Sequence, residues 1–230
     1  MPDNIIGQNV ARILGELPPG VELLAAVKHR RPDEIAAAIA GGVVIIGENY
    51  VQETEQAYRA IGKRVQWHFI GHLQRNKVKK AVRLFDMIET LDSLEMALEI
   101  DKRCAETGKI MPVLIEINSA REKSKSGILP DGAIPLAREV SAMPNIRLLG
   151  LMTMGPLSAN PEDSRPAFIK TREIKEKIER LALPGVEIRY LSMGMSATYR
   201  IAIEEGANII RLGTVIFGAR NLKKVQEGSN

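Results

Sequence analysis

In VELLAAVKHRRPDE (Val21 to Glu34) an apolar run of strand length stops on Lys28. Partial burial disfavours the charged form of an amine, and the neutral amine attacks aldehydes to give a Schiff base. A lysine that snorkels to the rim, or one that pairs with Glu48, is the competing reading. Two further segments carry groups suited to an anion. In LSMGMSATYR (191–200) a strand-like run enters Ser192, Gly194 allows close backbone approach, and Ser196 stands where it could cap a following helix. Free N–H groups at a helix start, beside hydroxyls and a glycine, form an anion site. A serine cap is also an ordinary structural feature. In RLGTVIFG (211–218) a charged Arg211 sits inside an apolar run, followed by Gly213 and Thr214.

These segments can cooperate only if the fold brings them together. Eight apolar runs read as strands, at 22–28, 43–48, 65–71, 85–91, 112–118, 146–154, 187–194 and 208–218. Most are apolar at successive positions, as in parallel strands covered on both faces. The segments between them read as helices. In RPDEIAAAIAGG, Pro32 and two acids open a helix that closing glycines end. In PAFIKTREIKEKIERLAL, Phe168, Ile174, Ile178 and Leu181 share a face, and Glu173–Lys177 and Glu176–Arg180 pair on the other. No linker or low-complexity tract interrupts the alternation, so residues 1–230 read as one domain. Eight strands alternating with helices over 230 residues predict a (β/α)8 TIM barrel, with an N-terminal helix at about 4–16. An open doubly wound sheet is the rival.

A barrel holds its ligands at the carboxyl ends of the strands, with phosphate after strands seven and eight. Those ends carry Lys28, Glu48 with Asn49, His68 with His72, Asn118, Thr153, Ser192 to Ser196 and Arg211 to Thr214. Closure would set the strand-one lysine beside the phosphate loops. The implied ligand is an aldehyde bearing a phosphate, with pyridoxal 5′-phosphate (PLP) the leading candidate. A phosphosugar whose carbonyl meets Lys28 is a more distant one.

Composition narrows the partners. Hydrophobic content of 45% with 26% charge is ordinary for a soluble globular protein. Lys and Arg exceed Asp and Glu by 32 − 28 = 4. The densest basic segment, QRNKVKKAVR (Gln74 to Arg83), lacks interleaved aromatics and reads as a solvated helix face, so no nucleic-acid partner is expected. The single cysteine, Cys104, has no partner for an intrachain disulfide and suggests a reducing compartment. The N-terminus is too polar for a signal peptide, and no apolar run is long enough to span a membrane. The expectation is a cytoplasmic protein with no membrane partner.

The chain resembles the pyridoxal phosphate homeostasis proteins, single-domain relatives of the alanine racemase barrel. The resemblance spans about Leu23 to Arg220, on AAVK with Pro32 after it, GENYVQE, WHFIGHLQRNK, IN with EKSKSG, GLMTM, LSMGMS and RLGTVIFGAR. It implies that Lys28 forms a covalent aldimine with PLP, and that Ser192, Gly194, Ser196, Gly213 and Thr214 hold the phosphate. Arg211 matches the arginine that faces the pyridine nitrogen. Asn49 and Lys125 match polar residues near the ring, and His68 belongs to a family motif without an assigned role. A guanidinium only donates, so it holds that nitrogen unprotonated and makes the ring a weaker electron sink.

Two departures stand out. Thr198 replaces an Asp common in the family, and HRRP follows Lys28 where many relatives have a shorter Thr-Lys-Pro. The resemblance leaves two functions. One is a non-catalytic holder that buffers PLP or delivers it to PLP-dependent apoenzymes. The other is an amino-acid racemase, which needs an acid/base on each face of the Cα. In alanine racemase the second base is a tyrosine brought in with a β-rich domain and a dimer partner. The chain ends shortly after FGAR, so that domain is expected to be absent and a monomer is the default. Tyr50 and Tyr199 are then the only substitutes, and the holder is the preferred reading.

Overall fold

The computed structural model describes residues 2–122 and 125–219. The strands are β1 (Glu22–Ala26), β2 (Ile45–Glu48), β3 (Gln66–Phe69), β4 (Met87–Leu91), β5 (Met111–Glu116), β6 (Ile146–Met152), β7 (Val186–Ser192) and β8 (Ile209–Leu212). They pair in parallel and in chain order, and β8 returns to β1 to close a barrel. Helices α1 (Pro2–Glu16), α2 (Pro32–Ala40), α3 (Val51–Ile61), α4 (Val78–Leu84) and α5 (Leu94–Ala105) belong to the first half. Helices α6 (Ala133–Ser141), α7 (Arg165–Arg180), α8 (Tyr199–Glu204) and α9 (Thr214–Phe217) belong to the second. The chain is therefore an eight-stranded parallel α/β barrel, as expected, rather than an open sheet.

Successive strand residues point to opposite faces, and in most strands both faces are buried, β7 with its exposed Glu187 and Arg189 being an exception. Leu23, Ala25 and Val27 pack outward with helix residues such as Ile35 and Ala38. Leu24 points inward, onto Ile45, Ile70 and Ile209. Two layers of apolar contact on one strand produce the continuous hydrophobic runs seen in the sequence. Trp67 is fully buried among the helix-facing residues, and its Nε1–H donates to the Gly62 carbonyl at 2.9 Å.

Several strands are shorter than their apolar runs. The last run, expected to be extended over 208–218, leaves the sheet at Leu212 and turns into α9. The N–H groups of Ile216 and Phe217 bond back to the Gly213 carbonyl, which makes the turn. The residues stay apolar because Ile216 and Phe217 are buried in the helix-facing core, and Asn9 of α1 donates to the Ile216 carbonyl. Helix α1 crosses α2 closely, and a Cβ on Gly41 would lie 2.9 Å from the Gly7 Cα.

That crossing makes a prediction with a control in the same region. Gly41→Ala pushes one backbone against another and should cost about 1–3 kcal/mol in urea unfolding. Gly15→Ala, where an added Cβ meets nothing within 4 Å, should be neutral or stabilise by at most about 1 kcal/mol.

Candidate cofactor-binding site

Strand pairing around the β8–β1 closure assembles one cleft at the carboxyl end of the barrel. Leu24 of β1 sits beside Arg211 and Ala25 beside Leu212, while Ala26 pairs with Gly47 on the other side. The pairing runs one residue past β1 through the Val27 N–H to the Gly47 carbonyl, at 3.0 Å. Half-buried Lys28 follows at the rim. The cleft has a volume of about 240 Å³. Lys28, Asn49, Ser196, Arg211, Gly213 and Thr214, all expected from sequence, line it together with Ala26, Arg30, Ile70, Met154, Met195 and Ala197.

The loop after β7 forms the corner of the cleft that the sequence suggests for an anion. Ser196 is not the helix cap expected from sequence: α8 starts at Tyr199 with Thr198 as its N-cap. The Met195 carbonyl accepts from the N–H groups of both Thr198 and Tyr199, at 2.8 Å each. The Thr198 hydroxyl in turn accepts from the Met195 N–H at 3.1 Å. An aspartate at 198 would offer the same kind of acceptor, so the threonine preserves this loop bond. The N–H groups of Ser196 and Ala197 have no acceptor among the described residues and remain available on the cleft wall. Across the cleft, the N–H groups that open α9 at Thr214 also lack intrahelical partners.

Gly194 and Ser192 do not line the cleft. Gly194 has φ +94°, and a Cβ there would lie 2.9 Å from the Tyr199 Cα and 2.6 Å from the Ala202 Cβ, so α8 packing demands the glycine. Ser192 is fully buried inside the barrel. Its Oγ accepts from Arg211 Nη1 at 2.8 Å and donates to Glu89 Oε2 at 2.5 Å. Glu89 Oε1 lies 2.7 Å from His68 Nδ1. Arg211 Nη2 donates to the Thr153 carbonyl at 2.8 Å and contacts the Met154 sulfur at 3.3 Å.

Burial is the largest single influence on each of the shifted groups in this network, but not always the deciding one. It pushes the Glu89 carboxyl up, but the hydrogen bond and charge of His68, with Arg211 and Ser192, outweigh it and hold the group below the usual carboxylate range. Burial lowers the Arg211 pKa, opposed by Glu89 and Glu116. Glu116 is pushed up to about 7 by burial, with Arg211 opposing and Asp92 adding.

His29, Arg30 and Arg31 of the HRRP segment each make a defined contact beside Lys28. His29 takes φ +59°, and Glu53 receives both its backbone N–H, at 3.1 Å, and its ring Nδ1, at 3.0 Å. Arg30 donates to the Gly218 carbonyl at 2.8 Å, with its guanidinium 5.1 Å from the centre of the Phe217 ring, so it ties the cleft rim to the end of α9. Arg31 is the N-cap of α2, and its N–H donates to Glu34 Oε2. Lys125 does not line the main cleft. It donates to Glu122 and to the Gly155 carbonyl beside a smaller recess that includes Glu116. Sequence reasoning missed Arg30, Met154, Met195 and Ala197, and it missed the interior role of Glu89. A glutamate inside the apolar run FDMIETL carries the same signal as Arg211 in its own run.

A model of the alanine racemase N-terminal domain family matches residues 4–221. A pyridoxal phosphate homeostasis protein of Aquifex aeolicus is 40% identical, covering 93% of this chain and 89% of its own. The chain belongs to the pyridoxal phosphate homeostasis protein family. A human member is 36% identical, covering 95% of this chain and 84% of its own. The structure of PipY from Synechococcus elongatus with PLP bound aligns with a TM-score of 0.85 and 30% identity, over 93% of this chain and all of that one. An alanine racemase from Clostridium difficile shares the fold, with a TM-score of 0.80 at 16% identity, and this chain spans only 57% of it.

One buried acid of the motif GENYVQE lies outside the cleft. Glu48 pairs with Phe69 on the helix-facing side, and its Oε2 has no partner among the described residues. Burial and the charge of Glu53 push its pKa up to about 8. A raised folded-state pKa means that the native state holds the proton longer than the unfolded chain. Stability is therefore lost as pH rises from about 4.5 to about 8, by up to a few kcal/mol. Glu48→Gln should gain stability relative to wild type at pH 8.5 and gain much less at pH 5. An equal effect at both pH values, measured by urea unfolding, would contradict this.

Proposed function

We propose that the cleft binds PLP as a Schiff base on Lys28, and that the protein holds and releases this cofactor for PLP homeostasis. The observation that carries the reading is the convergence of Lys28 with Ser196, Gly213 and Thr214 on one cleft, although 168 or more residues separate the lysine from each of them (196 − 28). The donor set suits the ligand. A lysine meets the aldehyde, N–H groups and hydroxyls meet the phosphate, and a guanidinium meets the ring nitrogen as a donor. Of the five Arg211 N–H donors, three are used within the protein. Ser192 and Gly194 support the phosphate loop from behind in this reading. The relatives' names and the PLP-bound PipY structure support the same ligand.

PLP then supplies a reactive aldehyde and an electron-withdrawing ring, while the chain supplies anchoring and shielding. Custody is favoured over racemisation by the placement of the two candidate tyrosines. Tyr50 is 46% exposed and packs its ring against His29, and the Tyr199 hydroxyl accepts from Arg200 at 3.1 Å. Neither lines the cleft. The role we assign is that of a cytoplasmic, monomeric, single-domain protein that buffers PLP and passes it to apoenzymes.

Incubation with PLP should give a visible absorption band that borohydride abolishes, with the pyridoxyl adduct located on Lys28 by peptide mass spectrometry. No adduct in wild type, or an equal adduct in Lys28→Ala, would sink the assignment. Ser196→Ala should weaken PLP binding by about tenfold, the worth of one hydrogen bond to a charged group, and leave pyridoxal binding nearly unchanged. Custody without catalysis predicts no sustained exchange of the Cα proton of added D- or L-amino acids in deuterated water.

A further inference from the structure

Arg211 and Glu89 are both buried inside the barrel, yet neither hydrogen-bonds the other. Ser192 stands between them, and the chemistry of the three groups fixes the direction of every bond. A guanidinium has no acceptor, so the bond from Arg211 Nη1 must end on a lone pair of the Ser192 oxygen. The single hydroxyl proton is then committed to Glu89 Oε2. The other carboxylate oxygen accepts a hydrogen bond from His68 Nδ1–H, which fixes the histidine ring as well. Rotation of the Arg211 guanidinium about its Nε–Cζ bond must break both the bond from Nη1 to Ser192 and the bond from Nη2 to the Thr153 carbonyl. The donors left over, including Nε–H, are thereby held in one direction at the cleft that Arg211 lines.

We infer that Glu89, held by His68 and acting through the Ser192 hydroxyl, is the positioning residue that aims the Arg211 guanidinium into the cleft. In the complex it would set the hydrogen bond given to the ring nitrogen of the cofactor. This step rests on the PLP reading, and its tests separate the two. If Glu89 served only to neutralise a buried arginine, its loss would lower folding stability without changing the spectrum or affinity of the ligand.

The first test needs no ligand. In protein labelled with ¹⁵N-arginine, the two Arg211 Nη nitrogens should give separate resonances in wild type, because the guanidinium cannot rotate freely, and should exchange measurably faster in Ser192→Ala, where only the Nη2 bonds remain to be broken. Merged resonances in wild type would overturn the inference whatever the cleft binds. The second test is a PLP titration followed by visible absorption. Ser192→Ala cuts the chain at one oxygen and leaves Glu89 with His68. It should raise the PLP dissociation constant about tenfold and move the absorption maximum of the bound form. Ser192→Thr, which keeps the hydroxyl, should restore both. Glu89→Gln should move both in the same direction and further. The melting temperature of each ligand-free variant establishes that it is folded. Wild-type dissociation constant and spectrum in folded Ser192→Ala and Glu89→Gln would overturn the inference and leave the proposed function standing. A wild type that takes up no PLP would instead fail the proposed function, and with it the cofactor half of this inference.

Discussion

The pairing of β8 with β1 is the contact on which the site depends. Each strand alone is an ordinary buried segment, and Lys28 and the Gly213–Thr214 turn share no cleft until the sheet closes. Closure through Glu22 to Ala25 against Ile209 to Leu212 sets the register, so Lys28 emerges at the height of the turn into α9. A slip of one residue would turn Arg211 from the barrel interior to the helix-facing core and expose its charge to Ile35 and Ile216. The inward apolar contacts of Leu24 with Ile45 and Ile209 oppose such a slip.

The same register places a cluster of polar and ionisable groups in the barrel interior. His68, Glu89, Glu116, Ser192 and Arg211 would be costly one by one in so dry a place. Four of them, His68, Glu89, Ser192 and Arg211, form one hydrogen-bonded chain that leaves His68 Nε2 without a partner among the described residues, whereas Leu24, Met87, Leu114 and their neighbours supply apolar layers elsewhere in the interior. In the proposed complex, a ligand with a ring nitrogen and a phosphate would need fixed donors, and fixed donors need partners of their own, which the polar groups under the cleft supply. Removing one partner strands the others, so the network acts as a unit.

The architecture was legible in sequence because parallel strands covered on both faces leave long apolar runs, and eight of these alternate with amphipathic helices. The cleft was legible where a residue broke its local pattern, as Lys28 and Arg211 do, or where a glycine and a hydroxyl met at a strand end. The ends of elements were harder to read. The run to Phe217 leaves the sheet early because burial beneath α1 requires the same apolar residues that a strand would. Ser196 looked like a cap, and Thr198 takes that place because Met195 draws two N–H groups into a turn first. Arg30 and Met154 carried no local signal, since their value comes only from what lies across the cleft. Glu89 did carry one, a charge in a buried run, and Arg211 is its counterpart at the far end of the chain.

The central claim is that one cleft, made by barrel closure, holds an aldehyde at Lys28 and a phosphate at the Ser196 and Thr214 turns. A crystal structure of the protein grown with PLP tests it most directly. The expected result is continuous electron density from Lys28 Nζ to the pyridine ring, with the phosphate against the N–H groups of Ser196, Ala197 and Thr214. A phosphate lodged elsewhere on the protein, or density for PLP on a different lysine, would contradict it.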